Sequence, residues 1–181
     1  DRYNSTNPYS ASKAGAEEMC LAFANTYKLP IITTHTMNVF GERQHPEKYI
    51  PLCIKRILTG EKISIHASAE GEPGQRHYIH ARNVSDAVLF LLDNWRSREK
   101  YNIVGEVELN NLQLAQKIAD ILGKPLNYEL VDFHSSRPGH DLRYALDGSL
   151  MESIGWKPPV SVDKSLERTI NWTLKNDRWL L

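Results

Sequence analysis

Tyr9 and Lys13 are the residues whose types and spacing best suit chemistry at an alcohol carbon. Four apart, they stand one turn above each other on one face of a helix. A phenol ordinarily titrates near ~10 and is a poor base at neutral pH, but a neighbouring ammonium favours the phenolate. Such a pair can take a proton from a sugar or alcohol hydroxyl. The same spacing also fits a plain surface helix with a solvated Lys. The element that must hold the pair is a helix entered through Asn7-Pro8 and running to about Tyr27, with Met19, Leu21, Ala22, Phe23 and Tyr27 expected to give it a buried side.

Leu29-Pro30 closes that helix, and the β-branched run Ile31-Ile32-Thr33-Thr34-His35-Thr36 reads as a strand buried on both faces of a parallel sheet. Helix followed by strand is one α/β crossover. Ligands collect beyond the carboxyl ends of such strands, where Asn38 stands. Asn38 can face a ligand, or it can be a turn residue bonded to its own backbone with Gly41 supplying a positive φ. A polar stretch from Glu42 to Pro51 leads into a short amphipathic helix with Ile50, Ile54, Ile57 and Leu58 inward and Gly60 as its stop.

Ile63-Ser64-Ile65-His66 alternates as a strand, 67–74 is a loop, and Gln75 to His80 is another strand. Arg76, opening a strand after a loop, offers a planar fork suited to two parallel hydrogen bonds on a diphosphate; a surface salt bridge fits the spacing equally well. Asn83 is expected to cap a helix from Val84 to Trp95, Tyr101 to Gly105 to form a strand and turn, and Asn111 to start a scaffold helix through Gly123. A strand at 127–131, the turn Arg137-Pro138-Gly139-His140, and a final helix from Ser161 to about Lys175 complete the chain. One loop carrying Arg137 and His140 can offer a guanidinium and an imidazole to a phosphate or ribose. Trp156, Ile170 and Trp172 read as core or cover of the small domain.

The chain has 181 residues and is 41% hydrophobic, enough to bury a core. Lys plus Arg and Asp plus Glu balance at 22 each, so no basic field points to nucleic acid or an anionic membrane. No apolar run approaches a bilayer span, and the reading is of a cytoplasmic protein with no membrane partner. Cys20 and Cys53 read as reduced thiols; no metal-ligand spacing occurs and no metal is expected.

Pro8-Tyr9-Ser10-Ala11-Ser12-Lys13-Ala14 resembles the active-site helix of the extended short-chain dehydrogenase/reductase family, the NAD-dependent nucleotide-sugar epimerases and dehydratases. Asn38-Val39-Phe40-Gly41, Pro46-Glu47-Lys48-Tyr49-Ile50-Pro51, Tyr101-Asn102-Ile103-Val104-Gly105, and Arg137-Pro138-Gly139-His140-Asp141 with Leu142-Arg143-Tyr144-Ala145-Leu146-Asp147 extend the match in one collinear order. Among its members the pattern is most similar to the dTDP-glucose 4,6-dehydratases. Val39 stands where these carry a second Asn, Arg76-His77-Tyr78 replaces Arg-Asp-Trp, and Ser136 replaces an Asp.

The resemblance implies an α/β fold: the C-terminal part of a Rossmann-like parallel sheet plus a small α+β substrate-binding domain. Rossmann-side segments are expected at about 1–45 and 76–105, and substrate-side segments at 46–75 and 106–181. No G-x-G-x-x-G turn is present, so the Gly-rich cofactor-binding half is expected to precede this portion in a longer protein. The resemblance further implies NAD as cofactor, with Tyr9 and Lys13 both catalytic and cofactor-binding. It implies a nucleotide-diphosphate sugar as substrate, contacted by Asn38, Lys48, Tyr49, Arg76, Asn102, Arg137 and His140. The complete protein is expected to be a homodimer, with Met19 and Phe23 as candidate seam residues. The implied reaction is dehydration through transient oxidation at C4. The alternatives are a nucleotide-sugar 4-epimerase or reductase, and, from another class, a non-catalytic nucleotide-sugar-binding fragment; the isolated chain is expected to be inactive.

Overall fold

The structure, a computed structural model, describes residues 5–96, 99–132 and 142–180. The chain opens with helix α1 (Pro8–Tyr27), followed by β1 (Thr33–Thr36), β2 (Asn38–Phe40) and helix α2 (Tyr49–Thr59). Strands β3 (Ile63–Ala67) and β4 (Gln75–His80) come next, then helix α3 (Ala81–Asn94), β5 (Lys100–Ile103), β6 (Glu108–Asn110) and helix α4 (Asn111–Leu122). The last part carries β7 (Tyr128–Asp132), β8 (Arg143–Tyr144), the short helix α5 (Ser149–Ser153) and helix α6 (Val162–Leu174).

Among the described residues three sheets result. β1 pairs in parallel with β5, β3 in parallel with β7, and β4 is the hub of the third, parallel to β2 and β8 and antiparallel to β6. β1 to β5 brackets a helix-bearing crossover, as a mostly parallel α/β arrangement requires. Among the described residues two apolar clusters form the core. Phe40, Ile54, Ile65, Leu114 and Leu166 belong to the cluster among α2, α4 and α6. Ile79, Leu91, Ile103, Met151 and Trp156 form the other, beneath α3.

Trp156 is a core residue, packed with residues of α3 and β5 and donating its indole N–H to Asp86 at 2.8 Å. Asn83 lies inside α3 rather than capping it: the His80 ring accepts from Arg82 N at 3.0 Å, and the buried Asn83 amide ties Val160 O at 2.7 Å. The sequence carries a good capping residue three positions too late because tertiary packing uses its amide elsewhere. Gly41 is not at a positive φ; Arg43 is, at 67°, while a Cβ on Gly41 would come 3.2 Å from His80 Nε2, so close approach is what requires the glycine.

The expected buried side of α1 is also corrected. Of its residues only Ala24 is buried, and Met19, Phe23 and Tyr27 are 60%, 46% and 64% exposed. β1 alternates between half-buried and exposed residues, with β5 on one edge. Among the described residues no helix is long and apolar enough to cross a membrane.

Candidate active site

Helix α1 begins with a capping box. Asn7 Oδ1 accepts from Ser10 N at 2.9 Å, Ser10 Oγ accepts from Asn7 N at 3.3 Å, and Pro8 takes the first turn, where no N–H is needed. This reciprocal pair fixes where the helix starts and hence the heights of Tyr9 and Lys13. Both are exposed, Tyr9 at 74%, and Ser12 Oγ closes on Tyr9 O at 2.8 Å.

A cleft of about 590 Å³ opens between β2, the 42–48 loop, α2, β3, β4 and the start of α4. Asn38, Lys48, Tyr49 and Arg76 all line it. Four separately chosen residues thus converge from β2, the start of α2 and β4. Asn38 is presented by β2, which hydrogen-bonds β4 in the register Asn38 to Tyr78. Lys48 caps α2 by its extended backbone, and Ile50, Cys53, Ile54 and Ile57 below it anchor that helix in the core.

Tyr49 is committed differently. Its hydroxyl donates to Asn111 O at 2.7 Å, so its ring walls the cleft while its polar end is already bonded. Burial pushes the Tyr49 phenol far above its ordinary range, pushes the Cys53 thiol up to about 12, and raises Tyr78 as well. None of the three is suited to proton transfer at neutral pH. Arg76 is seated by two carbonyls, its Nη1 donating to Gln75 O at 2.6 Å and Leu142 O at 3.0 Å. A guanidinium so held keeps its plane in one orientation.

Asn102 is not in this cleft. It lines a second cavity of about 510 Å³ together with His77, Glu106 and Asp147, and its amide is spent between His35 and Asp147 O. Arg137 and His140 lie outside the described residues. Leu142, a few residues beyond them, is fastened at the cleft edge by Gln75 N at 2.8 Å.

Sequence reasoning missed Asn111, Ser64 and His66, which also line the cleft. The alternation of β3 was the available signal: Ile63 and Ile65 point into the core, so Ser64 and His66 must share the other face. Asn111 was hidden by its neighbour. Asn110 makes the α4 capping box with Gln113, which leaves the Asn111 side chain to accept from Tyr78 Oη at 2.9 Å. The helix start expected to be scaffold is thus part of the cleft floor.

Behind the cleft, the Glu42 carboxylate receives His80 Nε2 at 3.1 Å, Arg82 at 3.0 Å and Arg168 at 3.7 Å. Because His80 Nδ1 accepts the cap from Arg82 N, its proton sits on Nε2. Burial holds His80 below the usual imidazole range. Desolvation would raise Glu42, but a backbone N–H, His80 and Arg82 together hold it below the usual carboxylate range. This knot joins the 42–48 loop to α3 and α6.

Comparison with known proteins follows the same layout. A model of the NAD dependent epimerase/dehydratase family matches residues 1–104. A dTDP-glucose 4,6-dehydratase of Xanthomonas campestris is 34% identical over 187 residues, covering 98% of this chain and 52% of its own, and one of Haemophilus influenzae is 35% identical over 184 residues, covering 96% and 54%. The crystal structure of dTDP-glucose 4,6-dehydratase from Bacillus anthracis in complex with NAD superimposes with a TM-score of 0.86 at 33% identity, over 98% of this chain and 55% of that one. The chain spans about half the length of the relatives it matches. With the family model covering more than half of its residues and the α/β architecture shared, the chain belongs to the NAD dependent epimerase/dehydratase family.

Proposed function

We propose that this chain is the substrate-binding and proton-transferring part of an NAD-dependent nucleotide-sugar dehydratase that oxidises its substrate transiently at C4, with dTDP-glucose as the first candidate. The observation that carries the reading is the convergence of Asn38, Lys48 and Arg76 on one cleft of about 590 Å³, a size suited to a nucleotide-diphosphate sugar. Arg76 takes diphosphate oxygens, Lys48 and Asn38 take sugar hydroxyls, and Asn111 adds an amide at the floor. Arg137 and His140 supply further diphosphate or ribose contacts. Residues 1–45 and 76–105 serve the cofactor side and 46–75 and 106–181 mainly the substrate side.

Tyr9 and Lys13 fit NAD by the chemistry of their donors: an exposed hydroxyl and an exposed ammonium one turn apart suit the hydroxyls of a ribose. When bound, NAD supplies a hydride acceptor for the sugar C4. Lys13 favours the phenolate of Tyr9, and that phenolate removes the proton from the 4-hydroxyl and becomes a phenol as hydride leaves C4. The exposed Met19, Phe23 and Tyr27 stripe on α1 suits a second copy in the complete, cytoplasmic protein. The same Tyr and Lys serve a 4-epimerase, so the product distinguishes the two readings.

The full-length protein, incubated with NAD and dTDP-glucose or UDP-glucose, is expected to form a 4-keto-6-deoxy sugar, identified by mass and NMR, and Tyr9→Phe is expected to abolish it while nucleotide-sugar binding persists. A 4-epimer as sole product favours the epimerase. Binding without turnover leaves the non-catalytic module, and unchanged turnover in Tyr9→Phe removes Tyr9 as the base.

A further inference from the structure

Glu17 lies one turn beyond Lys13 on α1, continuing the series Tyr9, Lys13, Glu17 at intervals of four. Its carboxylate meets His35 of β1, with Glu17 Oε1 2.6 Å from His35 Nε2, while Glu17 Oε2 is 3.2 Å from Lys100 Nζ on β5. On the other side of the ring, His35 Nδ1 is 3.2 Å from Asn102 Oδ1, its register partner across the β1 and β5 ladder. The orientation of the Asn102 amide is set by Asp147 O, which can only accept and takes Nδ2 at 2.8 Å. Oδ1 must therefore face His35. Both ring nitrogens of His35 then look at acceptors, a carboxylate and an amide oxygen, and each bond requires its own N–H.

We propose that His35 carries hydrogen on both ring nitrogens and that the strap Lys100, Glu17, His35, Asn102 fixes the rotation of α1 on the sheet, making Glu17 and His35 positioning residues for Tyr9 and Lys13. The catalytic consequence rests on the function proposed above. Within this chain α1 buries Ala24 and little else, so its side-chain bonds to β1 and β5 carry much of its hold on the sheet. Among the described residues, Glu17 ties α1 to both strands of this sheet, and it sits two turns from Tyr9. The groups facing His35 are Glu17 from α1, Asn102 from β5 and, through Glu17, Lys100 from β5. A turn of the helix about its axis displaces the phenol and the ammonium together, and a misplacement of about 1 Å costs roughly 100-fold in rate.

The test uses the full-length protein with ¹⁵N-labelled histidine, the His35 signals being assigned by their loss in His35→Phe. Both ring nitrogens are expected to resonate as protonated at neutral pH in the wild type, and one is expected to lose that signature in Glu17→Gln. In turnover, His35→Phe is expected to lower kcat roughly 10- to 100-fold with KM for the nucleotide sugar nearly constant. His35→Arg, whose fork can donate to both acceptors, is expected to recover most of that loss. A bare ring nitrogen at neutral pH overturns the proton assignment, and a His35→Phe variant with wild-type kcat overturns the positioning role. Should the wild-type protein show no NAD-dependent turnover, the functional reading fails by itself. The ring-nitrogen spectrum and the hydrogen-exchange protection of α1 amides in Glu17→Gln then decide the strap independently; unchanged protection overturns it.

Discussion

Tyr49 donates its hydroxyl to the backbone carbonyl of Asn111 at 2.7 Å, joining the first residue of α2 to the first residue of α4 across the floor of the cleft. One aromatic side chain thereby serves as a wall of the cleft and as a tie between two helix N-termini.

Tyr49→Phe keeps the wall and removes the tie. The Asn111 carbonyl keeps its helical N–H partner four residues on and loses the phenol's hydrogen bond, a change that costs about 0.5–1.5 kcal/mol. A drop of that size in the urea-unfolding free energy is expected, with nucleotide-sugar affinity changed less than threefold; a large loss of affinity with unaltered stability would show that the hydroxyl meets the ligand instead.

Arg76→Ala is expected to weaken nucleotide-sugar binding about 10- to 150-fold in the full-length protein, the equivalent of one charged hydrogen-bonding group at about 1.5–3 kcal/mol. At saturating substrate kcat should fall far less. Isothermal titration checks this, and an unaltered affinity would assign Arg76 a structural role, such as holding the Gln75 and Leu142 carbonyls.

The Glu42 and His80 knot predicts an acid-sensitive stability. His80 is held below its unfolded value of about 6.5, so its neutral form stabilises the fold fully above that value. As pH falls below it, the unfolded chain takes up the proton first and stability declines until the folded value is passed. Glu42, also lowered, adds a second loss as pH falls below about 4.3. Urea midpoints should therefore fall from pH 6.5 downward in the wild type and be flatter between pH 6.5 and 5 in His80→Gln; equal slopes in the two proteins would exclude His80 as the source.

Two glycines should respond in opposite directions to alanine. A Cβ on Gly105 would lie 2.1 Å from Tyr78 O, a backbone atom that cannot yield, so Gly105→Ala should destabilise by about 3 kcal/mol or more. Gly15, inside α1, has nothing among the described residues within 4 Å of that position, so Gly15→Ala should stabilise by about 0.5–1 kcal/mol. Thermal melts of both variants check the pair.

Much of the fold was legible where one local signal dominated. The Asn7-Pro8 entry of α1, the Gly60 and Gly123 stops, and the Ile63 to His66 alternation each correspond to an element boundary or face. The three-residue β6, the two-residue β8 and the five-residue α5 were not legible, because they are too short for periodicity and exist through partners far away in sequence. The cleft was half legible. Asn38, Lys48, Tyr49 and Arg76 converge on it, but nothing local distinguishes Asn102, whose amide is consumed by His35 and Asp147, from Asn111, whose place is made by two tyrosines. Likewise, the apolar residues of α1 promised a buried face that these contacts do not provide.

Strand β4 carries Tyr78 into the cluster beneath the cleft and Ile79, the next residue, into the cluster beneath α3. Neighbouring side chains on a strand leave on opposite faces, so two cores that look separate are the two sides of one ribbon. Neither can melt while the other keeps its half of β4. The segments proposed to serve cofactor and substrate are thus expected to unfold as a single thermodynamic unit, and calorimetry should record one transition whose van't Hoff and calorimetric enthalpies agree.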